Sequence, residues 1–293
     1  MKTLIICLDG LELNYVLKWN LKGLLQKNYG THDVSMIERI YTPLIWSAFL
    51  TGQNPQEIGY TMEYIEKQRI NAYPSILRTF ALLRKRFLPK KNLNLRRLAM
   101  KLGIYDMKKT NMPTNIRKQT FVSKLRDEGY NVYIEEFPSY NEFEKELFAR
   151  IDPGLYLRRS FDERFRRVKE SWDFTIKRWI RVLHVIPTHD LILFYTNFPD
   201  SAHHVLFKEE ELIFVKDFYL KLENLPFLKD LKNIVKLIVS DHGFIHNEHT
   251  HSNYGFWSSN INLPYEPKTV FDFHDLIIKL VRTPKIKQPF QDS

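Results

Sequence analysis

The 293-residue chain contains one cysteine, Cys7, which excludes both a disulfide framework and a cysteine-built zinc site. No apolar run reaches the ~18 residues that a membrane span needs. The opening stretch Met1–Leu8 is too short for a signal-peptide core and runs directly into Asp9. Internal repeats, low-complexity tracts and a flexible linker long enough to separate two domains are also lacking. These absences predict a soluble, intracellular, cytoplasmic protein built as a single domain over residues 1–293. What the chain does have is apolar mass. It is 44% hydrophobic and 14% aromatic, which argues against disorder and is enough for a substantial core.

Positive charge is in excess, with 44 Lys+Arg against 34 Asp+Glu and a net charge of +10. The excess is local. Between Arg78 and Lys118 there are thirteen basic residues and one acidic residue, Asp106, a net of +12 over 41 residues. The remaining 252 residues sum to −2. Apolar residues of this region (Leu77, Phe80, Leu83, Phe87, then Leu95, Leu98, Leu102) recur at steps of three and four, predicting two amphipathic helices broken near Pro89. We expect a basic helical insertion over 61–118. Its charge is either a solvated face or a surface over 78–118 that meets anionic lipid, nucleic acid or substrate. The scarcity of aromatics among the charges counts against a single-strand nucleic-acid platform.

The run Thr3–Leu8 is continuously apolar and ends in Asp9-Gly10. Continuous rather than alternating apolar character predicts a strand buried on both faces. Similar runs recur at Asn131–Glu135, Asp190–Tyr195 and Val235–Val239. Helical patterns precede them at Phe121–Glu128, Asp162–Val185 (with Pro187 as breaker) and Lys208–Leu225. Strands alternating with helices predict an α/β fold with a mostly parallel central sheet and helices on both faces. Sites in such folds collect at the carboxyl ends of the strands. Here those ends carry Asp9, Asp200 and Asp241-His242.

Six of the ten histidines lie between positions 203 and 251: His203, His204, His242, His246, His249 and His251. Carboxylates and imidazoles together are ligands for zinc or manganese. Asp200 and His204 stand one helical turn apart, so both can face one ion. His203 competes with His204, and His249 with His251. His246 is expected to be exposed or to lie behind the ligands, and His184, His189 and His274 carry no signal. Hydroxyls for a nucleophile are available in Tyr41–Gly52, where Thr42 and Ser47 are the rivals.

Taken in order, these segments resemble the alkaline phosphatase superfamily, in particular its type I phosphodiesterase/nucleotide pyrophosphatase branch. Asp9-Gly10 is similar to the opening metal-ligand motif. Thr42, ten residues before Gly52 and the following Asn54-Pro55, resembles the nucleophile segment. Asp200-Ser201-Ala202-His203-His204 matches an Asp-x-x-x-His element, Ser240-Asp241-His242-Gly243 matches a Ser-Asp-His-Gly element, and His251 resembles the final ligand. The resemblance covers residues 2 to about 280, apart from roughly 61–118. Two departures stand out. Ile58-Gly59 replaces a frequent His-Gly pair, and no asparagine can be assigned to assist the nucleophile, which bears on nucleotide specificity. Pro138-Ser139-Tyr140 resembles, more weakly, a substrate-side loop.

The resemblance implies an alkaline-phosphatase-like fold and two divalent metal ions, zinc or alternatively manganese. One would be held by Asp9, Thr42, Asp241 and His242, the other by Asp200, His204 and His251. It further implies hydrolysis of a phosphorylated substrate, a nucleotide or other phosphodiester, through Thr42. The alternatives are a phosphomonoesterase, phosphonate hydrolase or phosphomutase on the same scaffold, or a silent protein that binds anions or a membrane surface.

Overall fold

A computed structural model describes residues 2–71, 78–79, 83, 86–87, 111–141 and 158–283. Most of the basic segment, with its two expected helices, lies outside the described residues. The 61–118 region contributes one described helix at its start, Met62–Asn71, and a short one near its end, Thr114–Arg117. Among the described residues, no helix is long and apolar enough to cross a membrane.

Among the described residues, six strands form the central sheet: β1 (Lys2–Asp9), β2 (Asn28–Asp33), β3 (Val132–Ile134), β4 (Leu191–Pro199), β5 (Ile234–Ser240) and β8 (Tyr254–Ser259), in the order β2-β8-β5-β1-β4-β3. A separate two-stranded hairpin joins β6 (Gly243–Ile245) to β7 (Thr250–Ser252). β1 pairs in parallel with β4 and β5, and β3 with β4. β8 is antiparallel to both its neighbours. The four parallel strands are the four apolar runs of the sequence.

The continuous apolar character has the expected cause. Side chains alternate across β1, so Ile5 and Cys7 enter one buried cluster while Leu4, Ile6 and Leu8 enter another on the opposite face. The first cluster is covered by the helices Thr42–Thr51, Phe121–Asp127 and Asp272–Arg282, the second by Phe161–Val185 and Leu212–Glu223. The Phe161–Val185 helix starts at a capping box in which Ser160 and Glu163 satisfy each other's backbone amides, and it gives way to a 3-10 turn at Pro187. Arg164 on this helix is buried. Its guanidinium bonds Glu211 (2.8 Å) and the Val205 carbonyl, tying three segments together beneath the sheet's carboxyl end.

Candidate metal centre and nucleophile

The carboxyl ends of β1, β4 and β5 are adjacent because these strands are neighbours. Asp9 ends β1, Asp200 follows β4 and Asp241 follows β5. Register does the fine placement. Leu8 pairs with Thr196 but Asp9 pairs with Pro199, so β4 carries extra residues that bring Asp200 across to the β1 end. There Gly10 adopts φ +72°, and a Cβ on it would sit 2.7 Å from Asp200 Cβ. Only glycine meets both demands. The Gly10 amide donates to Asp241 Oδ1 (3.2 Å). Ser240 Oγ accepts from the Leu11 amide (2.8 Å) and donates to the His242 carbonyl (2.7 Å), stitching the two loops together.

Thr42 is the first residue of the Thr42–Thr51 helix, with Pro43 in the first turn, where a missing N–H costs nothing. Gly52 closes that helix in the left-handed conformation, its amide returning to the Ala48 carbonyl (2.7 Å). The rival Ser47 is fully buried and donates to the Leu44 carbonyl (2.7 Å). The Thr42 hydroxyl is half-buried and lies 3.4 Å from Asp9 Oδ2, to which it donates.

Two clusters of ligand atoms result. In the inner one, His242 Nε2 lies 3.3 Å from Asp9 Oδ1 and 3.6 Å from Asp241 Oδ2, and these side chains are at most 6% exposed. In the outer one, Asp200 Oδ1 lies 3.3 Å from His204 Nε2 and 3.4 Å from His251 Nε2, with the two imidazole nitrogens 2.9 Å apart and exposures of 16–28%. The His242 and His251 rings stack at 4.0 Å, so the clusters share a wall. All seven residues singled out in the sequence thus meet at one place. His203 turns away from Asp200, and His249 is exposed at the hairpin tip. Of the two expectations for His246, exposed or behind the ligands, the structure gives the second: it is buried and bonds His203 and the Lys208 carbonyl. Pro138-Ser139-Tyr140 is a buried loop whose Ser139 carbonyl takes the Met112 amide. Ile58 packs against the first core cluster.

The chemistry of these atoms fits a bound cation. Asp9 Oδ1, Asp200 Oδ1, Asp241 Oδ2 and His242 Nε2 are all buried without a hydrogen-bond partner. Buried polar atoms are ordinarily bonded, so four orphans in two adjoining clusters call for cationic partners between them. Ligand atoms around a tetrahedral zinc ion at ~2.0–2.1 Å lie about 3.3 Å from one another, close to the separations just given. The charge balance agrees. Burial and the charge of Asp9 push the Asp241 carboxyl well above its usual range. Burial opposes a charged His242, yet Asp241 and Asp9 raise its imidazole to about 10. Burial would raise Asp200 too, but His204 and its neighbours hold it well below the usual carboxylate range. Asp241 and His242 both hold protons more tightly than usual, so the inner cluster is short of positive charge.

The sequence did not point to Tyr195, whose hydroxyl donates to Asp9 Oδ2 (2.7 Å) and fixes the carboxylate beside Thr42. The available signal was a residue with a polar tip ending an apolar run, since a buried tyrosine hydroxyl seeks a partner.

No protein-family model matches the chain. No curated protein matches it. Among solved structures, it is similar to murine ectonucleotide pyrophosphatase/phosphodiesterase 5, with 18% identity and a TM-score of 0.45 over 83% of this chain and 57% of that one. The human protein of the same name gives 18% identity and a TM-score of 0.42 with the same coverage. An inactive form of the murine protein in complex with AMP gives 16% and 0.41. This chain spans 57% of the length of the structures it matches.

Proposed function

We propose that the protein is a metal-dependent phosphohydrolase that cleaves a phosphodiester or pyrophosphate bond, of a nucleotide or a similar molecule, with Thr42 as nucleophile. The observation carrying this reading is the set of four orphaned ligand atoms beside a half-buried hydroxyl. Asp9, Asp241 and His242, with Thr42, would hold one divalent ion, and Asp200, His204 and His251 the other. Bound there, such ions lower the pKa of a coordinated hydroxyl and neutralise phosphoryl oxygens.

The chain's own residues supply position and proton control. Tyr195 holds Asp9 Oδ2 where the Thr42 hydroxyl meets it, so the proton to be lost has an acceptor at hand. Loss of that proton leaves Oγ1 free to attack phosphorus, expelling the alcohol or phosphate leaving group and forming phospho-threonine. Water then hydrolyses this ester and restores the hydroxyl. The deeper carboxylates exclude solvent on the inner side, while the outer cluster is open enough for substrate to approach.

To test this, wild type and Thr42→Ala are assayed on bis-p-nitrophenyl phosphate with zinc or manganese, alongside metal analysis. We expect two ions per wild-type chain and a loss of at least about a thousandfold in kcat for the alanine variant, the scale on which an essential nucleophile acts. Undiminished turnover by Thr42→Ala would sink the assignment.

A further inference from the structure

The two consecutive histidines of the helix Asp200–Val205 each reach a histidine of the β6–β7 hairpin. His204 meets His251 in the outer cluster; His203 meets His246, Nδ1 to Nδ1, at 3.1 Å. Only the first pair belongs to the proposed hydrolase site, and the role of the second pair rests on that proposal.

The second pair has a defined proton order. The Lys208 carbonyl can only accept, so His246 Nε2 (3.1 Å away) carries the hydrogen. In a neutral ring His246 Nδ1 is then an acceptor, and His203 Nδ1 must donate to it. His203 is fully buried and bonds no carboxylate, conditions that keep it neutral. Its Nε2 therefore accepts from the Tyr219 hydroxyl (3.0 Å), which in turn accepts from the Glu12 amide (3.2 Å). Every donor in this chain finds one acceptor. The His203 ring also stacks with Tyr15 (centroids 5.6 Å, 27°) and with Phe244 (4.7 Å, 14°), contacts that favour one ring orientation.

The hairpin needs such an anchor. Its strands are three residues each and lie outside the central sheet, and a two-stranded hairpin alone is marginal in water. Yet it carries His251, directly opposite Phe244 in the pairing. We propose that His203 and His246 are positioning residues. They form a hydrogen-bonded imidazole clamp that fixes the hairpin to the Asp200–Val205 helix and so sets His251 against Asp200 and His204.

The test compares wild type, His246→Leu and His246→Asn. Leucine fills the buried space without an acceptor, whereas the asparagine Oδ1 can stand in for Nδ1. Zinc affinity is measured by chelator competition, and amide exchange over 243–252 is followed in the metal-free proteins, with far-UV circular dichroism to confirm folding. His246→Leu should weaken one of the two zinc ions about 10–100-fold, the usual effect of removing a group that orients ligands. It should leave the other ion unchanged and speed exchange in the hairpin but not in β1 or β5. His246→Asn should stay close to wild type in both readouts. Equal zinc binding and equal hairpin exchange in all three proteins would overturn the clamp, as would an asparagine variant impaired as much as leucine. A wild type that binds no zinc would refute the hydrolase reading, and the exchange arm would then still decide the clamp.

Discussion

Replacing Asp241 by Asn should make the metal-free protein more stable while abolishing its response to metal. Asp241 is fully buried. Its Oδ1 accepts from the Gly10 and His242 amides (3.2 and 3.1 Å), bonds that an asparagine carbonyl keeps. Its Oδ2 has no hydrogen bond. The ligand atoms of Asp9, Asp241 and His242 lie within 4.8 Å of one another. At an effective dielectric near 20, two like charges at that distance repel by about 3.5 kcal/mol. A charged His242, 3.6 Å away, offsets that by a similar amount. What remains for the ionised carboxyl is the cost of burying an unbonded acceptor, about 1–3 kcal/mol, and that cost drives Asp241 toward its protonated form. The amide removes it, because its NH2 donates without first taking up a proton. Zinc at a hundred times its dissociation constant would stabilise wild type by about 2.7 kcal/mol and the variant by far less. The order of stabilities should therefore invert between chelator and zinc. Thermal unfolding with EDTA and with zinc reads this directly, at roughly 2–4 °C per kcal/mol for a chain of this size. If Asp241→Asn melts below wild type in EDTA as well, the carboxylate is a structural acceptor and the metal reading of the inner cluster fails.

Beyond the Thr42 and His246 variants, two other perturbations test how the fold supports the site. His32 is buried with neither ring nitrogen hydrogen-bonded, and burial pushes its pKa down from 6.5 to about 3. The folded state thus refuses a proton that the unfolded chain accepts, so its contribution is nil above pH 7 and turns unfavourable as pH falls below about 6.5. Between pH 7 and 5 wild type should lose about 2 kcal/mol more than His32→Leu in urea unfolding; parallel losses would refute this. Gly10→Ala should cost about 1–3 kcal/mol for the left-handed conformation alone. Because its Cβ would press on Asp200, it should also weaken zinc binding in the outer cluster, which chelator competition would detect.

The parallel half of the sheet was legible because β1, β4 and β5 are buried on both faces and read as mainly apolar runs, broken in β5 only by the half-buried Lys236. β2 and β8 were not. β2 is the polar edge strand Asn-Tyr-Gly-Thr-His-Asp, and β8 mixes Gly255, Ser258 and Ser259 into its buried positions. Their pairing joins residues more than two hundred positions apart, which no local pattern announces. The Thr42–Thr51 helix was hidden for the opposite reason. Every residue from Pro43 to Thr51 is buried, so no polar face gives it a period. At the site, ordered motifs picked out the residues that the fold brings together, since aspartates and histidines at strand ends stand out against apolar runs. Tyr195 escaped, and so did the pairing of His203 with His246, because these contacts join β4, the helix after it and the hairpin and leave no spacing along the chain.

The central position of β1 has a consequence for biosynthesis. Thr3 pairs with Leu191 on one side and Val235 on the other, partners that the ribosome adds 188 and 232 residues later. This buried, largely apolar strand is therefore translated long before either neighbour it must pair with. Contacts this distant fold slowly, and an unpaired apolar strand is prone to aggregation while it waits. Nascent chains truncated before Val235 should need a holding chaperone at Thr3–Leu8, and the proposed metal centre can be assembled only after the hairpin bearing His251 has emerged.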